Sequence, residues 1–186
     1  GHTETSPTLT LNRPEAFRFD SVGKPLPSVQ LKLAEDGEIL ATGPNVFSGY
    51  WRMPEKTTEE FTGDGWFRTG DVGRWDANGY LSIVGRSKDL IITGGYNVYP
   101  KEIESYLDDM DGVAESAVIG VPHRDFGEAV TAVVVRRPGA TLDEAAIVAA
   151  LKGRIAGFKV PKRVHVVDEL PRNAMGKVQK NEVVAL

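Results

Sequence analysis

The fold of this chain is decided by residues 85–95, which read Gly-Arg-Ser-Lys-Asp-Leu-Ile-Ile-Thr-Gly-Gly. Before this stretch, short alternating runs separated by turn residues predict β-hairpins. After it, segments of helical and of strand periodicity follow one another. The change predicts an α+β chain built from two units. Residues 1–87 are expected to form a β-rich unit, and residues 88–186 a small α+β unit.

Two hairpins define the β-rich unit. Residues 29–33, Val-Gln-Leu-Lys-Leu, alternate apolar and polar side chains and are followed by Asp36 and Gly37, a pair typical of tight hairpin turns. Residues 70–84 predict a second hairpin around the turn sequence Asp-Ala-Asn-Gly. Between the hairpins, a short helix is predicted to begin at Pro54, since proline is tolerated in the first turn of a helix. The aromatic residues expected to fill the core of this unit are Tyr50, Trp51, Trp66 and Phe67.

Helices and strands alternate in the α+β unit. Pro100 begins a helix whose apolar residues recur at helical spacing. A capping box at residues 141–144, Thr-Leu-Asp-Glu, begins a second helix that runs to about residue 155. We expect this unit to fold autonomously, because its helices and strands can bury one another. The strand-like runs lie at residues 90–92, 113–121, 129–135 and 164–167.

The composition excludes several classes of function. A net charge of −4 lacks the basic footprint that nucleic-acid binding usually leaves, so nucleic acid is not an expected partner. The chain contains no cysteine, which excludes thiolate metal sites and a cysteine nucleophile within it. The three histidines lie far apart and predict no zinc site. No apolar run approaches the roughly 20 residues that span a bilayer, and we expect a cytoplasmic protein without a membrane span.

Four places could carry chemistry, and each also has an ordinary structural interpretation. Asp71 ends a Thr-Gly-Asp turn, where a carboxylate can accept two hydrogen bonds from a ribose diol or can cap the turn. Residues 85–89 are a charged segment that also fits a solvated linker. Gly94 and Gly95 permit a close approach to the backbone, or simply a turn into a helix. Lys177 follows a glycine on a loop and can bind a phosphate or carboxylate, or can be a surface lysine.

Five motifs follow one another along the chain. They are residues 1–4 (Gly-His-Thr-Glu), 66–71 (Trp-x-x-Thr-Gly-Asp), 85–91 (Gly-Arg-x-Lys-Asp-x-Ile), 95–104 (Gly-x-x-Val-x-Pro-x-Glu-Ile-Glu) and 171–177 (Pro, four residues, Gly-Lys). In this order they resemble the adenylate-forming superfamily, which includes acyl-CoA synthetases, peptide-synthetase adenylation domains and firefly luciferase. The resemblance extends over essentially the whole chain. It implies that residues 1–87 end a large adenylating domain and that residues 88–186 are its mobile small C-terminal domain.

The resemblance implies a role in adenylation for several residues. Thr3 would contact the nucleotide phosphate of ATP, and Glu4 would help to hold Mg²⁺, which favours carboxylate oxygen. Asp71 would take the ribose hydroxyls, and Arg86 would reach the ribose or a phosphate. Lys177 would be the catalytic residue, because its charge would bridge the acyl carboxylate and the α-phosphate as charge develops there.

The resemblance also implies a second half-reaction with CoA. The small domain would pivot at the hinge residue Lys88, so that Lys177 leaves the reacting groups. The Gly94-Gly95-Tyr96 segment would then line the tunnel for the pantetheine arm of CoA. The expected contacts to the CoA phosphates are Lys152, His123 and Arg124.

The inferred reaction joins a small carboxylic acid to CoA through an acyl-adenylate, with release of pyrophosphate and AMP. Residues 43–57, 94–104 and 170–180 look most like malonyl-CoA synthetases, so malonate or a related short acid is the expected substrate. Medium- and long-chain fatty acyl-CoA synthetases share much of this sequence. A peptide-synthetase-type adenylation domain, which delivers its acyl group to a carrier-protein thiol, is a second enzyme class that stays open.

A non-catalytic interpretation also stays open. The first residues contain neither an initiator Met nor the features of a signal peptide, and we expect a fragment of a longer protein. The chain lacks the Gly/Ser/Thr-rich phosphate loop that the family places upstream, so we expect the isolated fragment to be inactive. It would then be a folded module whose Lys177 loop is docked by a regulator such as a lysine acetyltransferase.

Overall fold

The computed structural model describes residues 1–183. It divides the chain into a first unit, Gly1–Lys88, and a second unit that begins at Asp89. The division lies one residue after the predicted boundary. Sheets and a few short helices occur together, which confirms the predicted α+β class. Within residues 1–183, no helix is both long enough and apolar enough to cross a membrane.

The first unit contains a small ladder, one helix and an antiparallel sheet. The ladder pairs β1 (Thr10–Leu11) with β2 (Lys24–Pro25), and the helix is α1 (Pro54–Glu60). The sheet has four strands in the order β3-β4-β5-β6. Both predicted hairpins are present in this sheet. Its strands are β3 (Gln30–Leu33), β4 (Glu38–Thr42), β5 (Phe67–Trp75) and β6 (Leu81–Arg86).

The turn between β5 and β6 is closed by Asp76. Its Oδ1 accepts hydrogen bonds from the backbone N–H of Asn78, at 2.8 Å, and of Tyr80, at 2.9 Å. Gly79 completes the turn at φ 75°, a conformation that glycine adopts without steric cost. The register shifts by one residue between Val72 and Gly73, and beyond this shift Asp71 of β5 lies opposite Arg86 of β6.

The expected aromatic core of the first unit is only partly correct. Phe67 is buried, and Phe47 and Phe61 pack against its ring with centroids 5.6 and 5.7 Å away. Trp51, however, is 85% exposed, so the prediction that it fills the core is wrong. It lies in the loop between β4 and α1, in which no residue is buried, and it precedes Arg52, which adopts a positive φ of 55°.

The second unit is built on a five-stranded sheet flanked by short helices. Its centre is β10, which pairs antiparallel with β9 along its length and parallel with β11. The hairpin of β7 and β8 joins the sheet where Thr93 pairs with Gly127. The elements are β7 (Ile91–Thr93), β8 (Tyr96–Val98), α2 (Pro100–Asp108), β9 (Val113–His123), β10 (Gly127–Arg136), α3 (Glu144–Lys152), β11 (Arg163–Val167) and α4 (Lys180–Val183).

Both faces of the sheet in the second unit are covered by apolar side chains. Side chains alternate between the faces of a strand, so consecutive residues of β9 and β10 enter two different clusters. One cluster joins the sheet to α2 and α3, and it includes Val118, Val134, Ile103, Leu107 and Leu151. The other joins the sheet to residues 170–183, here called the C-terminal segment. It includes Ile119, Val133, Val135, Leu170 and Val183.

The second helix of this unit begins later than the capping box predicts. Asp143, not Thr141, is the N-cap, because its side chain accepts a hydrogen bond from Ala146 N at 3.1 Å. Glu144 does not fold back onto the cap. Its Oε1 accepts instead from Val164 N in β11 at 2.9 Å. Tertiary contact with the sheet therefore replaces the local capping interaction.

Leu107→Ala tests the core of the second unit. The side chain is fully buried on α2, so its truncation should lower the free energy of unfolding by about 2–5 kcal/mol. The matched control is Lys101→Ala on the exposed face of the same helix, which should change it by less than about 0.5 kcal/mol. Urea denaturation of residues 89–186 measures both values. A non-cooperative transition of this fragment would contradict its autonomous folding.

Candidate active site

Asp71 is the centre of a charged cluster in the first unit. Its Oδ2 lies 3.0 Å from His2 Nε2, and its Oδ1 lies 3.2 Å from Arg86 Nε. The Asp71 side chain is only 13% exposed, whereas Arg86 is 53% exposed. His2 was not among the predicted site residues, and it links the first motif of the chain to β5.

The environment of Asp71 favours its ionised form. Burial by itself disfavours the charge, but the His2 hydrogen bond and the Arg86 guanidinium outweigh it, and the pKa of Asp71 is held below its usual value. An ionised carboxylate has about four lone-pair sites, so it can accept further hydrogen bonds beside those from His2 and Arg86. Asp71 and His2 also line a cavity of about 520 Å³, a volume within the range of ligand pockets.

Glu4 lies on a short 3₁₀ turn, Thr3–Thr5, and two contacts fix its position. Its carbonyl oxygen accepts from Phe47 N at 2.8 Å, and its Oε1 accepts from the Tyr50 hydroxyl at 2.9 Å. A backbone hydrogen bond and the Tyr50 hydroxyl lower the pKa of Glu4, although burial opposes them. Desolvation, followed by the bond to Glu4, raises the pKa of Tyr50 to about 12. Tyr50 therefore acts on a predicted site residue, beyond the packing role expected from sequence.

Thr3 is exposed on the same turn as Glu4. The turn is held from within by Thr5, a buried residue whose hydroxyl donates to His2 O at 3.1 Å and to Pro7 O at 3.0 Å. His2 thus joins Thr3 and Glu4 to Asp71 through one hydrogen bond. Of the four site residues predicted in the first unit, Asp71 and Arg86 are in direct contact, and Thr3 and Glu4 follow His2, which bonds to Asp71.

The only carboxylate predicted to hold Mg²⁺ is Glu4. Among residues 1–183, no group of three or more His, Cys, Asp or Glu side chains could form a protein-made metal site. This agrees with the way Mg²⁺ is usually bound, through one or two carboxylates together with substrate phosphates and water. The ionised, part-exposed side chain of Glu4 fits that requirement.

Lys177 lies on a tight loop of the second unit. The loop is closed by a β-bridge between Arg172 and Val178. At its centre, Asn173 Oδ1 accepts from Met175 N and from Lys177 N, each at 3.0 Å. Gly176 adopts a φ of 76°, and the Lys177 side chain is exposed. The loop therefore has a defined shape and presents its lysine to solvent. Asn173 could be found in the sequence only by its position four residues before Lys177.

The glycine pair predicted to contact CoA forms the turn of the β7–β8 hairpin. Gly94 and Gly95 have φ values of 56° and 82°, which other residues rarely adopt. A Cβ at Gly95 would meet no atom within 4 Å, so the backbone there is open. Tyr96 stacks on Phe158, with ring centroids 4.5 Å apart, and stays 58% exposed. The hairpin turn is thus an accessible surface.

The three residues predicted to contact the CoA phosphates differ in their surroundings. Lys152 is an exposed residue that ends α3. Arg124 already pairs with Asp125, at 3.2 Å, and His123 accepts from Asp125 N at 3.1 Å while it stacks on Phe126. Lys88, the predicted hinge residue, is exposed in the 3₁₀ turn Ser87–Asp89, at the boundary of the first unit.

Comparison with known proteins identifies the family of the second unit. Residues 102–177 match the family described as the AMP-binding enzyme C-terminal domain. Residues 102–177 therefore belong to the AMP-binding enzymes, the adenylate-forming superfamily that the motifs of the chain resemble. Its relatives along almost the whole chain are acyl-CoA ligases.

Three relatives illustrate the similarity. A methyl-dioxo-octahydroindenyl-propanoyl:CoA ligase of Rhodococcus jostii is 52% identical and aligns with 86% of this chain and 31% of its own length. Indoleacetate–CoA ligase of Aromatoleum aromaticum is 44% identical, over 98% of this chain and 38% of its own length. The crystal structure of ATP-bound MatB from Rhodopseudomonas palustris superimposes with a TM-score of 0.90 at 55% identity, over 100% of this chain and 39% of that protein. The chain thus spans less than half the length of these relatives.

His2→Ala tests the electrostatic link within the first unit. The change removes a hydrogen bond that lowers the pKa of Asp71, so the pKa of Asp71 should rise. A ¹³C NMR titration of the Asp71 carboxyl measures the shift. The matched control is His165→Ala on the exposed side of β11 in the second unit, which should leave this titration unchanged. An Asp71 titration unaffected by His2→Ala would contradict the link.

Proposed function

We propose that the chain is the C-terminal part of an AMP-forming acyl-CoA ligase. In the first half-reaction a carboxylate oxygen attacks the α-phosphorus of ATP and pyrophosphate leaves. In the second, the CoA thiol attacks the acyl carbon and AMP leaves, so that one acid, one ATP and one CoA give acyl-CoA, AMP and pyrophosphate. The observation that carries the proposal is the exposed Lys177 on a loop of fixed shape, in a chain whose relatives are acyl-CoA ligases.

The residues of the first unit would bind the nucleotide. Asp71 is ionised and would accept hydrogen bonds from the ribose hydroxyls, and Arg86 is exposed enough to reach the ribose or a phosphate. The Thr3 hydroxyl would contact a phosphate. Glu4 would hold Mg²⁺, which when bound would offset the negative charge of the phosphates. The Tyr50 hydroxyl would keep the Glu4 carboxylate in place for this role.

Lys177 would supply the positive charge for adenylation. Negative charge moves onto the α-phosphate and the leaving pyrophosphate as the acyl-adenylate forms, and a positioned cation stabilises such charge. A lysine suits the role because its ammonium is a compact point charge on a long side chain. Acetylation would remove that charge, so a lysine acetyltransferase acting on exposed Lys177 would block adenylation.

The second unit would also serve the reaction with CoA. After adenylation it would rotate about Lys88, which removes Lys177 from the acyl-adenylate. The backbone of Gly94 and Gly95, which is open at Gly95, would line the path of the pantetheine arm together with Tyr96. The contacts proposed for the CoA phosphates are Lys152, His123 and Arg124.

The proposed acid is malonate or a related short acid. The support is the 55% identity with MatB, a malonyl-CoA synthetase, over the whole chain. Relatives named for larger acids, such as a long-chain-fatty-acid–CoA ligase at 39% identity, provide the alternative. Activity of the full-length enzyme on malonate, methylmalonate, acetate, indoleacetate and fatty acids decides between them.

Offering CoA and a carrier domain as acceptors separates a ligase from a peptide-synthetase-type enzyme. A cytoplasmic location stays a prediction from composition.

Lys177→Ala tests the proposed function. In the full-length enzyme the change should abolish ATP–pyrophosphate exchange and largely spare thioester formation from a supplied acyl-adenylate, because the lysine acts only in the first step. The matched control is Lys101→Ala, which removes an exposed lysine elsewhere in the second unit and should leave both steps intact. Equal loss of both half-reactions in Lys177→Ala would contradict the assignment. Residues 1–186 alone should show no exchange.

Lys88→Pro tests the hinge. Proline fixes φ near −65° and removes a backbone donor, so one orientation of the second unit should be locked. The full-length variant should retain one half-reaction, which we expect to be adenylation, and lose the other. Single-turnover measurements of each step provide the readout. Wild-type rates for both steps would place the pivot elsewhere.

A further inference from the structure

The second unit contains a buried carboxylate that the proposed chemistry does not use. Glu104 lies on α2 and is 7% exposed. Its Oε1 accepts from Lys180 Nζ at 2.6 Å and from Val118 N at 2.9 Å. Lys180 Nζ donates in addition to Val118 O, at 3.1 Å. Lys180, Glu104 and the backbone N–H and C=O of Val118 thus form a closed set of three hydrogen bonds.

This set lies at the outer edge of β9. Among the described residues β9 pairs only with β10, so the backbone of Val118 finds its other partners in side chains. Glu104 satisfies the N–H, and Lys180 satisfies the carbonyl. The Lys180 ammonium also neutralises the buried carboxylate, which would be costly to bury alone. Lys180 therefore connects the C-terminal segment with both α2 and the sheet.

The loop that carries Lys177 is fastened next to this point. The two ends of the loop are joined by the Arg172–Val178 bridge and by the hydrogen bond from Gln179 N to Pro171 O, at 2.8 Å. Lys180 is the next residue, and it begins α4. Asn173 fixes the shape of the loop from within. The position of the loop on the second unit therefore depends on the contacts that Lys180 makes at its base.

Apolar packing of the C-terminal segment does not fix the orientation of the Lys177 loop. Leu170, Val178 and Val183 pack on the second apolar cluster of the sheet. Such contacts are non-directional and tolerate small displacements. A charge-assisted hydrogen bond, in contrast, sets both a distance and an angle. The ion pair of Lys180 with Glu104 is thus a directional constraint three residues after Lys177. Arg172, which donates to Gly176 O and pairs with Glu115 of β9, is a second one before it.

We propose that Lys180, held by Glu104 and Val118 at the edge of β9, is a positioning residue that places the Lys177 loop for adenylation. The inference rests on the proposed catalytic role of Lys177. Lys180 does not touch the reacting groups in this scheme. It acts through the loop, and its effect is confined to the half-reaction that uses the loop.

The experiment compares the two half-reactions in the full-length enzyme. Lys180→Met keeps the length of the side chain and removes its charge. A displacement of about 1 Å at a reacting group can cost about 100-fold in rate, so we expect a loss of up to about 100-fold in kcat for ATP–pyrophosphate exchange. The KM for ATP should change little, and thioester formation from a supplied acyl-adenylate should be retained. Lys180→Arg keeps the charge and should restore most of the lost exchange.

A second variant and a control keep the result interpretable. Glu104→Gln keeps the shape of the side chain and removes the charge that holds Lys180, so it should reproduce the selective loss even where Lys180→Met does not fold. Lys101→Met changes an exposed lysine of α2 and should behave as wild type. Thermal melting of each variant, measured alongside, reports any loss of folded protein.

The outcomes separate the inference from the function on which it rests. Selective loss of exchange in Lys180→Met and Glu104→Gln supports positioning. Equal loss of both half-reactions, or loss that tracks the melting temperature, would show a purely structural ion pair and overturn the inference. So would wild-type exchange in these variants beside an inactive Lys177→Ala enzyme. Normal exchange in Lys177→Ala would instead overturn the proposed role of Lys177 itself.

Discussion

The antiparallel pairing of β9 with β10 is the constraint on which the second unit depends. Their register from Val113 to His123 places alternate residues in two apolar clusters, so helices cover one face and the C-terminal segment covers the other. A shift of one residue would exchange the two sets of side chains between the faces. The same ladder fixes the candidate site, because the β7–β8 hairpin joins it at Gly127 and the Lys177 segment packs on its second face.

Two of the predicted site residues of the first unit, Asp71 and Glu4, are carboxylates that stay charged while partly buried. Asp71 and Glu4 each have a lowered pKa because hydrogen-bond donors surround them. For a depressed pKa, the contribution to stability is present above the pKa of the unfolded chain and is lost as the pH falls through the folded value. The cluster is therefore ready to receive neutral hydroxyl donors or a cation at neutral pH, and acid conditions would weaken both the fold and the site.

Local patterns predicted the elements, and distant contacts decided the details of the site. Asp36-Gly37, Pro100 and the alternation of Val-rich runs predicted hairpins, a helix and strands, because these signals act within a few residues. The capping box misplaced the start of α3, since Glu144 bonds to β11 instead. The pairs that organise the site lie far apart in sequence. His2 and Asp71 are separated by 69 residues, Glu4 and Tyr50 by 46, and Glu104 and Lys180 by 76, and no local periodicity encodes such pairs.

The side chains at the outer edge of β9 have a consequence for colloidal behaviour. An 11-residue strand whose outer N–H and C=O groups pair with no other strand of residues 1–183 is a template on which a strand of another molecule can dock. Near the middle of that row, Glu104 accepts from the N–H of Val118 and Lys180 donates to its C=O, which adds two charges there. A strand of another molecule would have to break a buried ion pair before it could pair along the whole of this edge. The contacts that hold the C-terminal segment in place thus also protect concentrated protein, and chains that have just folded, from strand-to-strand aggregation.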